Sequence, residues 1–169
     1  MDEWPTHATG EPSTPAELLE RAREHAASVP LELDLDAVSW EVSRRAKRRA
    51  GACRYDGDAG TVTIRLTWAA YEAFGWAEFS GVVRHELVHA YEFQTHGESG
   101  HGPRFRTLAE RVDAPRHCRR FTPPAYWVTC RDCGQRLARY KRSKLVKHPD
   151  RYRCGSCGGR LSVESNDGE

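Results

Sequence analysis

Two short cysteine pairs, Cys130-Arg131-Asp132-Cys133 and Cys154-Gly155-Ser156-Cys157, stand 20 residues apart in a chain of 169. The spacing C-x2-C-x20-C-x2-C constrains the fold strongly. Each pair can form a tight knuckle presenting two thiolates, and one tetrahedral ion can hold both knuckles together. Gly134 and Gly158 follow the second cysteine of each pair, where a knuckle commonly needs positive φ. All four positions around the ion are then filled by protein, so Cys130, Cys133, Cys154 and Cys157 are expected to bind a structural Zn²⁺ in a small β zinc ribbon over residues 125–165. The 20 intervening residues suffice for a β-hairpin. Neither pair sits in the strand-to-helix context of thioredoxin-like redox chemistry.

The ribbon region also marks a change in charge. Residues 1–115 carry 13 Lys+Arg against 19 Asp+Glu, whereas residues 116–160 carry 13 Lys+Arg against only Asp132 and Asp150. The overall charge of +2 hides this asymmetry. Even after the net −2 of a four-thiolate zinc site, the C-terminal module is strongly basic, which predicts a polyanionic partner. Arg136, Arg139, Lys141, Arg142 and Lys144 are the candidate nucleic-acid contacts. They are interleaved with Tyr126, Trp127, Tyr140 and Tyr152, of which Tyr126, Trp127 and Tyr152 are expected to form the core of the ribbon.

The earlier part of the chain reads as α+β. Thr14-Pro15-Ala16-Glu17 has the form of a capping box and opens a helix to about Ser28. Val38, Trp40 and Val42 alternate as in a half-buried strand. "GACRYDGDAGTVTIRL" reads as a hairpin turning at its glycines, with Val62, Ile64 and Leu66 inward on the returning strand. Helical patterns follow from Thr67 toward Gly75, from about Trp76 to Phe93, and from Pro103, where Phe105, Leu108, Ala109 and Val112 form one stripe. The first dozen residues and the last five are polar and are expected to be disordered. The three prolines and basic cluster of "DAPRHCRRFTPPAYW" place a boundary near 114–125.

Within the second of these helices lies "RHELVHAY". Residues four apart share a helix face, so His85 and His89 can direct two imidazoles at one ion, with Glu86 beside it. That pattern suits a catalytic zinc, which lowers the pKa of water and polarises a carbonyl while the carboxylate takes the water's proton; the expected reaction is peptide-bond hydrolysis. Val82, Val83, Leu87 and Val88 make the helix apolar enough to be buried. A third ligand is required. The step of six from His89 lands on Thr95, and Glu92 stands where one common zincin pattern has glycine, so that pattern fails. Glu110, His96 and His101 are candidates. His101 is favoured because it immediately precedes a helix that can fix it.

Taken in order, "RAGACRYDGDAGTVTIRLT", "VVRHELVHAYEF", "GHGPRF" and the two cysteine pairs resemble the SprT family, including the Spartan proteases that act on DNA-protein crosslinks. The likeness runs over roughly residues 14–165. It implies a zincin-like metalloprotease domain at 14–115, with helices and a small antiparallel sheet, followed by the ribbon. It further implies catalytic zinc on His85, His89 and His101, Glu86 as catalytic base, and substrates that are proteins bound or crosslinked to DNA; DNA is the expected partner, its single-stranded regions being one option beside the duplex. The partner-recruitment tail of eukaryotic members is not seen. The alternative is a nonenzymatic zinc-binding nucleic-acid or transcription-associated protein, which leaves Glu86 without a use.

No stretch of 18 apolar residues is present, and the N-terminus lacks the basic start and apolar run of a secretory signal. A cytoplasmic protein is expected, with association with the nucleoid as an option. Cys53 reads as a small buried thiol, and Cys118 as an exposed one in the basic linker. The run "RRAKRR" at 44–49 reads as a solvated face or as a phosphate contact beside the site. His7, His25, His117 and His148 carry no spacing signal, and Trp40, Trp68 and Trp76 are assigned to the core.

Overall fold

The computed structural model describes residues 10–166. They divide into two compact units, the first ending at Phe121 and the second beginning at Thr122. Among the described residues, no helix is long and apolar enough to cross a membrane.

In the first unit, α1 (Pro15–Ser28) begins at Thr14, whose side chain accepts from the Glu17 amide at 3.2 Å. The Glu17 carboxylate reaches back to the Ser13 amide at 2.6 Å, one residue earlier than in a standard capping box. Leu18, Ala22 and Ala26 are the buried face of this helix. A short 3₁₀ turn (Leu35–Ala37) leads into β1 (Val38–Ser43), followed by β2 (Gly51–Asp56) and β3 (Thr61–Thr67). The Asp56 carboxylate accepts from the Asp58 and Ala59 amides, each at 3.1 Å, which tightens the turn between β2 and β3.

The sheet order is β1-β3-β2. β2 and β3 are antiparallel, with Cys53 opposite Ile64, as the hairpin requires. β1 pairs with β3 in parallel, Trp40 opposite Ile64, so the small sheet is mixed rather than wholly antiparallel. The cause is topological. The segment 44–50 carries the chain from β1 past the end of β3 to its far side, and β2 then returns antiparallel to both. Val62, Ile64 and Leu66 on central β3 are completely buried, each worth about 1.5–3 kcal/mol of transfer free energy.

α2 (Trp68–His96) supplies the other half of the core through Phe79, Val82, Val83, Leu87 and Val88. It is interrupted at Gly75, whose φ of 73° and ψ of 168° are not helical. Thr67 precedes the helix without capping it: its hydroxyl donates instead to the Arg49 carbonyl at 2.5 Å. α3 (Pro103–Arg111) buries Phe105 and Ala109, with Val112 just beyond it also buried and Leu108 half-buried. Trp40, Trp68 and Trp76 are partly buried against the core.

The expectation of disordered ends falls largely on residues outside those described, as does His7. Where it extends further it is corrected. The Glu11 carboxylate accepts from the Trp76 amide at 2.9 Å, and the Pro12 carbonyl from the Tyr71 hydroxyl at 2.6 Å, so this segment is tied to α2. Near the other end, Asn166 donates to the Ala125 and Pro124 carbonyls.

The second unit is a three-stranded antiparallel sheet ordered β5-β4-β6, built from β4 (Tyr126–Cys130), β5 (Arg136–Arg139) and β6 (Leu161–Ser165). The segment between the cysteine pairs is not a simple hairpin. After β5 it forms α4 (Lys144–Lys147) and a 3₁₀ turn (Pro149–Arg151). The Ser143 hydroxyl accepts from the Val146 amide and so nucleates the helical turn, while Pro149, lacking an N–H, cannot continue a strand ladder. Tyr126 and Trp127 are partly buried, but Tyr152 is 39% exposed, contrary to its assignment to the core.

Candidate metal centres and cleft

His85 and His89 lie on consecutive turns of α2, with Glu86 next to His85. Their surroundings orient each imidazole. The Pro115 carbonyl accepts from His85 Nδ1 at 2.7 Å, and Ser99 Oγ lies 2.6 Å from His89 Nδ1. With both Nδ1 atoms occupied, both Nε2 atoms are left to face a common point. They are 3.1 Å apart, and His101 Nε2 lies 3.3 Å from that of His85. Nitrogens on one tetrahedral zinc, each at about 2.0–2.1 Å, stand roughly 3.3 Å apart. The three side chains therefore fit zinc by donor type and spacing.

All three histidines are held toward the neutral form that can bind a metal. Burial is the principal cause in each case. His89 falls to about 3, with His85 and His101 adding repulsion; His101 is lowered further by His117 and Arg116. His85 is lowered although the Pro115 carbonyl acts in the opposite direction.

Glu86 is buried at 4% exposure. Burial pushes its carboxyl up to about 8, opposed by the charge of Arg49. Gly51 on β2 makes room for it: a Cβ there would stand 2.9 Å from Glu86 Cγ and Oε1. Together these groups line a cleft of about 600 Å³, whose other walls include Gly51, Cys53, Phe93, Ser99 and His117.

Of the three candidates for a third ligand, the structure brings His101 to the pair. Glu110 and His96 are exposed and do not join the cluster. Several cleft features escaped the sequence reading. Glu92, discounted there as a failed glycine position, is 2% exposed. Its carboxylate accepts from Ser99 Oγ at 3.1 Å and from Arg104 Nε at 2.7 Å, completing the chain His89–Ser99–Glu92–Arg104. Its position seven residues before Ser99 gave no periodic signal. His117 lies with its ring centroid 5.4 Å from that of His101. Cys118 is half-buried and lines the cleft rather than being an exposed linker thiol; burial and then the Glu86 charge push it up to about 12. Cys53 is half-buried and also lines the cleft.

In the second unit, Cys130 Sγ is 3.5 Å from Cys157 Sγ, and Cys133 Sγ is 3.7 Å from Cys154 Sγ. All four sulfurs lie within 4.8 Å of one another. Thiolates on tetrahedral zinc at about 2.3 Å are roughly 3.8 Å apart, so this set also fits. The Cys133 amide points at Cys130 Sγ and holds that thiol down at about 7. Gly134 and Gly158, with φ of 73° and 75°, each close a knuckle by donating to the carbonyl of its first cysteine.

Arg136, Lys141, Arg142 and Lys144 are exposed, and Arg139 is half-buried with its guanidinium donating to the Ala138 carbonyl. The Arg136 guanidinium lies 4.2 Å from the centroid of Trp127, which it covers.

The model of the SprT-like family matches residues 17–125, which include all three histidines and end before the first ribbon cysteine. A protein named SprT-like from a Geobacillus species is 38% identical over 119 residues, covering 64% of this chain and 72% of the relative. Proteins of the same name from Bacillus cereus and Bacillus anthracis are 35% identical over 109 residues, covering 61% of this chain and 69% of each relative.

Proposed function

Because the chain belongs to the SprT-like family and its histidine and cysteine clusters fit zinc, we propose that it is a zinc-dependent metallopeptidase acting on proteins bound or crosslinked to DNA. The observation that carries this reading is Glu86, a buried carboxylate in a cleft beside three converging imidazoles. A purely structural metal site, or a nonenzymatic nucleic-acid protein, has no use for an acid whose burial is so unfavourable to its charge.

Zinc held by His85, His89 and His101 would supply Lewis acidity toward water and toward a peptide carbonyl. Glu86 takes the proton from the attacking water and returns it to the departing amine, which needs a carboxyl that can exist in both forms near neutral pH. Pro115 and Ser99 fix the two helix histidines, so their nitrogens need little reorganisation when loaded. β2 is an edge strand whose residues Gly51–Arg54 line the cleft. Its open backbone edge suits an extended peptide, recognised through main-chain hydrogen bonds with little regard for sequence.

Arg136, Lys141, Arg142 and Lys144 on the ribbon would hold nucleic acid, so that substrates on the same strand are met at high local concentration. The test is cleavage of a DNA-binding protein by the zinc-loaded chain, with and without DNA. DNA is expected to accelerate cleavage; equal rates would remove the ribbon from the account, and no cleavage under either condition would remove the peptidase.

A further inference from the structure

We infer that the loop between β1 and β2 is a second nucleic-acid-binding element, a phosphate-backbone groove on the peptidase unit that is separate from the ribbon. The proposal extends beyond the peptidase reading, and its test reads binding rather than cleavage.

The segment from Arg44 to Tyr55 carries Arg44, Arg45, Lys47, Arg48, Arg49 and Arg54 and contains no acidic residue. This concentration of positive charge occurs in a unit that is otherwise acidic. Among the described residues, no carboxylate lies within ion-pair distance of Arg44, Arg45, Arg48, Arg49 or Arg54. All five are exposed. None of these five guanidiniums is held in an ion pair among the described residues, although the charge of Arg49 is felt by Glu86.

A charge run is commonly just a solvated face, but the geometry here differs from that. The loop is pinned at both ends. Ser43 Oγ accepts from the Arg45 and Ala46 amides at 3.3 and 3.1 Å. At the other end, the Thr67 amide donates to the Ala50 carbonyl at 2.9 Å and its hydroxyl to the Arg49 carbonyl. The loop thus lies across the end of β3 instead of projecting into solvent. Small residues, Ala46, Gly51 and Ala52, leave a concavity of about 410 Å³ that Arg45, Lys47, Arg48 and Arg49 line. Cations around a low-dielectric concavity focus their field and raise the local concentration of anions.

The lining favours a nucleic-acid backbone over other polyanions. Arginine forks match phosphate oxygens in bidentate geometry. No aromatic residue lines the groove, so it has no platform for stacking a base and would follow the backbone without reading sequence. Nor does it contain the large apolar side chains that anchor a protein partner. Arg48, Arg49, Gly51 and Ala52 line both this groove and the histidine cleft. A strand lying in the groove would therefore run beside the scissile site.

The experiment compares the full zinc-loaded chain with Arg45→Gln/Lys47→Gln/Arg48→Gln and with a control of equal charge, Arg23→Gln/Arg106→Gln/Arg111→Gln on α1 and α3. Binding of a fluorescein-labelled 20-nucleotide single strand is followed by anisotropy over a range of salt. Three lost phosphate contacts should flatten the slope of log K against log salt by about 2 in the groove variant and by much less in the control. Equal effects of the two triples would show only a net-charge response and overturn the groove. So would an unchanged slope in the groove variant. Loss of polyglutamate binding with oligonucleotide binding intact would assign the groove to acidic protein instead, which also overturns the proposal.

Discussion

Gly51 and Glu86 are in contact because Gly51 has no side chain: a Cβ on the strand would lie 2.9 Å from both Cγ and Oε1 of the acid. The same Cβ would lie 3.0 Å from Val82 Cγ1, so there is no slack on either side. Gly51→Ala is expected to displace the Glu86 carboxylate and to cost about 1–3 kcal/mol of stability through overpacking. The histidine nitrogens do not touch this position, so zinc content should stay at the wild-type value while cleavage falls at least tenfold. Urea denaturation, metal analysis and a cleavage assay on the same preparation separate these effects. Loss of zinc along with activity would show that β2 supports the histidines rather than the acid.

The chain His89–Ser99–Glu92–Arg104 makes a prediction about metal affinity. Ser99→Ala removes the partner of His89 Nδ1 and should weaken zinc at the histidine site by about 10–100-fold. The cysteine site should be unaffected. Competition with a chromogenic chelator resolves the two classes of ion. Arg104→Ala leaves a carboxylate buried at 2% without its cation. It should cost roughly 3 kcal/mol, the low end for a broken buried pair, since Arg104 itself is half-exposed.

His25 gives the fold a pH dependence outside the metal sites. Its ring packs edge-on against Trp76 at 5.7 Å, and Arg84 Nη1 lies 3.1 Å from its Nε2. Burial first, then the charges of Arg84 and Arg21, lower its pKa to about 4. The unfolded chain, with an ordinary value near 6.5, binds this proton more readily. The contribution of His25 is therefore complete above about pH 6.5 and is lost as pH falls toward 4. Between pH 7.5 and 5 the wild-type urea midpoint should fall further than that of His25→Gln. Parallel declines would show that His25 is not protonated preferentially in the unfolded state.

The second unit has a small core, with Val128, Val146, Cys130 and Cys154 its buried hydrophobic residues. A core of this size does not hold a fold without a staple. Replacing all four ribbon cysteines with serine should unfold residues 122–166 while leaving one zinc per chain on His85, His89 and His101. Loss of both ions would show that the histidine cluster does not bind metal by itself.

The legibility of these features in the sequence follows from their range along the chain. The histidine pair and the cysteine knuckles are set by local geometry, one helical turn in the first case and one knuckle in the second, so spacing alone reveals them. His101 was favoured by its place just before α3 and assigned more firmly by the resemblance, because a ligand on a loop has no period. Glu92, Ser99 and Arg104 meet only when the segment after α2 turns back on it, and no pattern records that turn. Gly51, the first residue of β2, carried a signal that could have been used, since a strand glycine can mark a close backbone approach. Ser143 and Pro149 likewise argued against a hairpin between the knuckles.

The central claim is that Glu86 moves the proton in peptide hydrolysis. Glu86→Gln keeps the side chain's size and should retain two zinc ions per chain. Cleavage of a DNA-bound protein should then fall by about 10²–10⁴-fold, the usual contribution of a positioned general acid–base. Cleavage at the wild-type rate by a fully loaded Glu86→Gln chain would contradict the account.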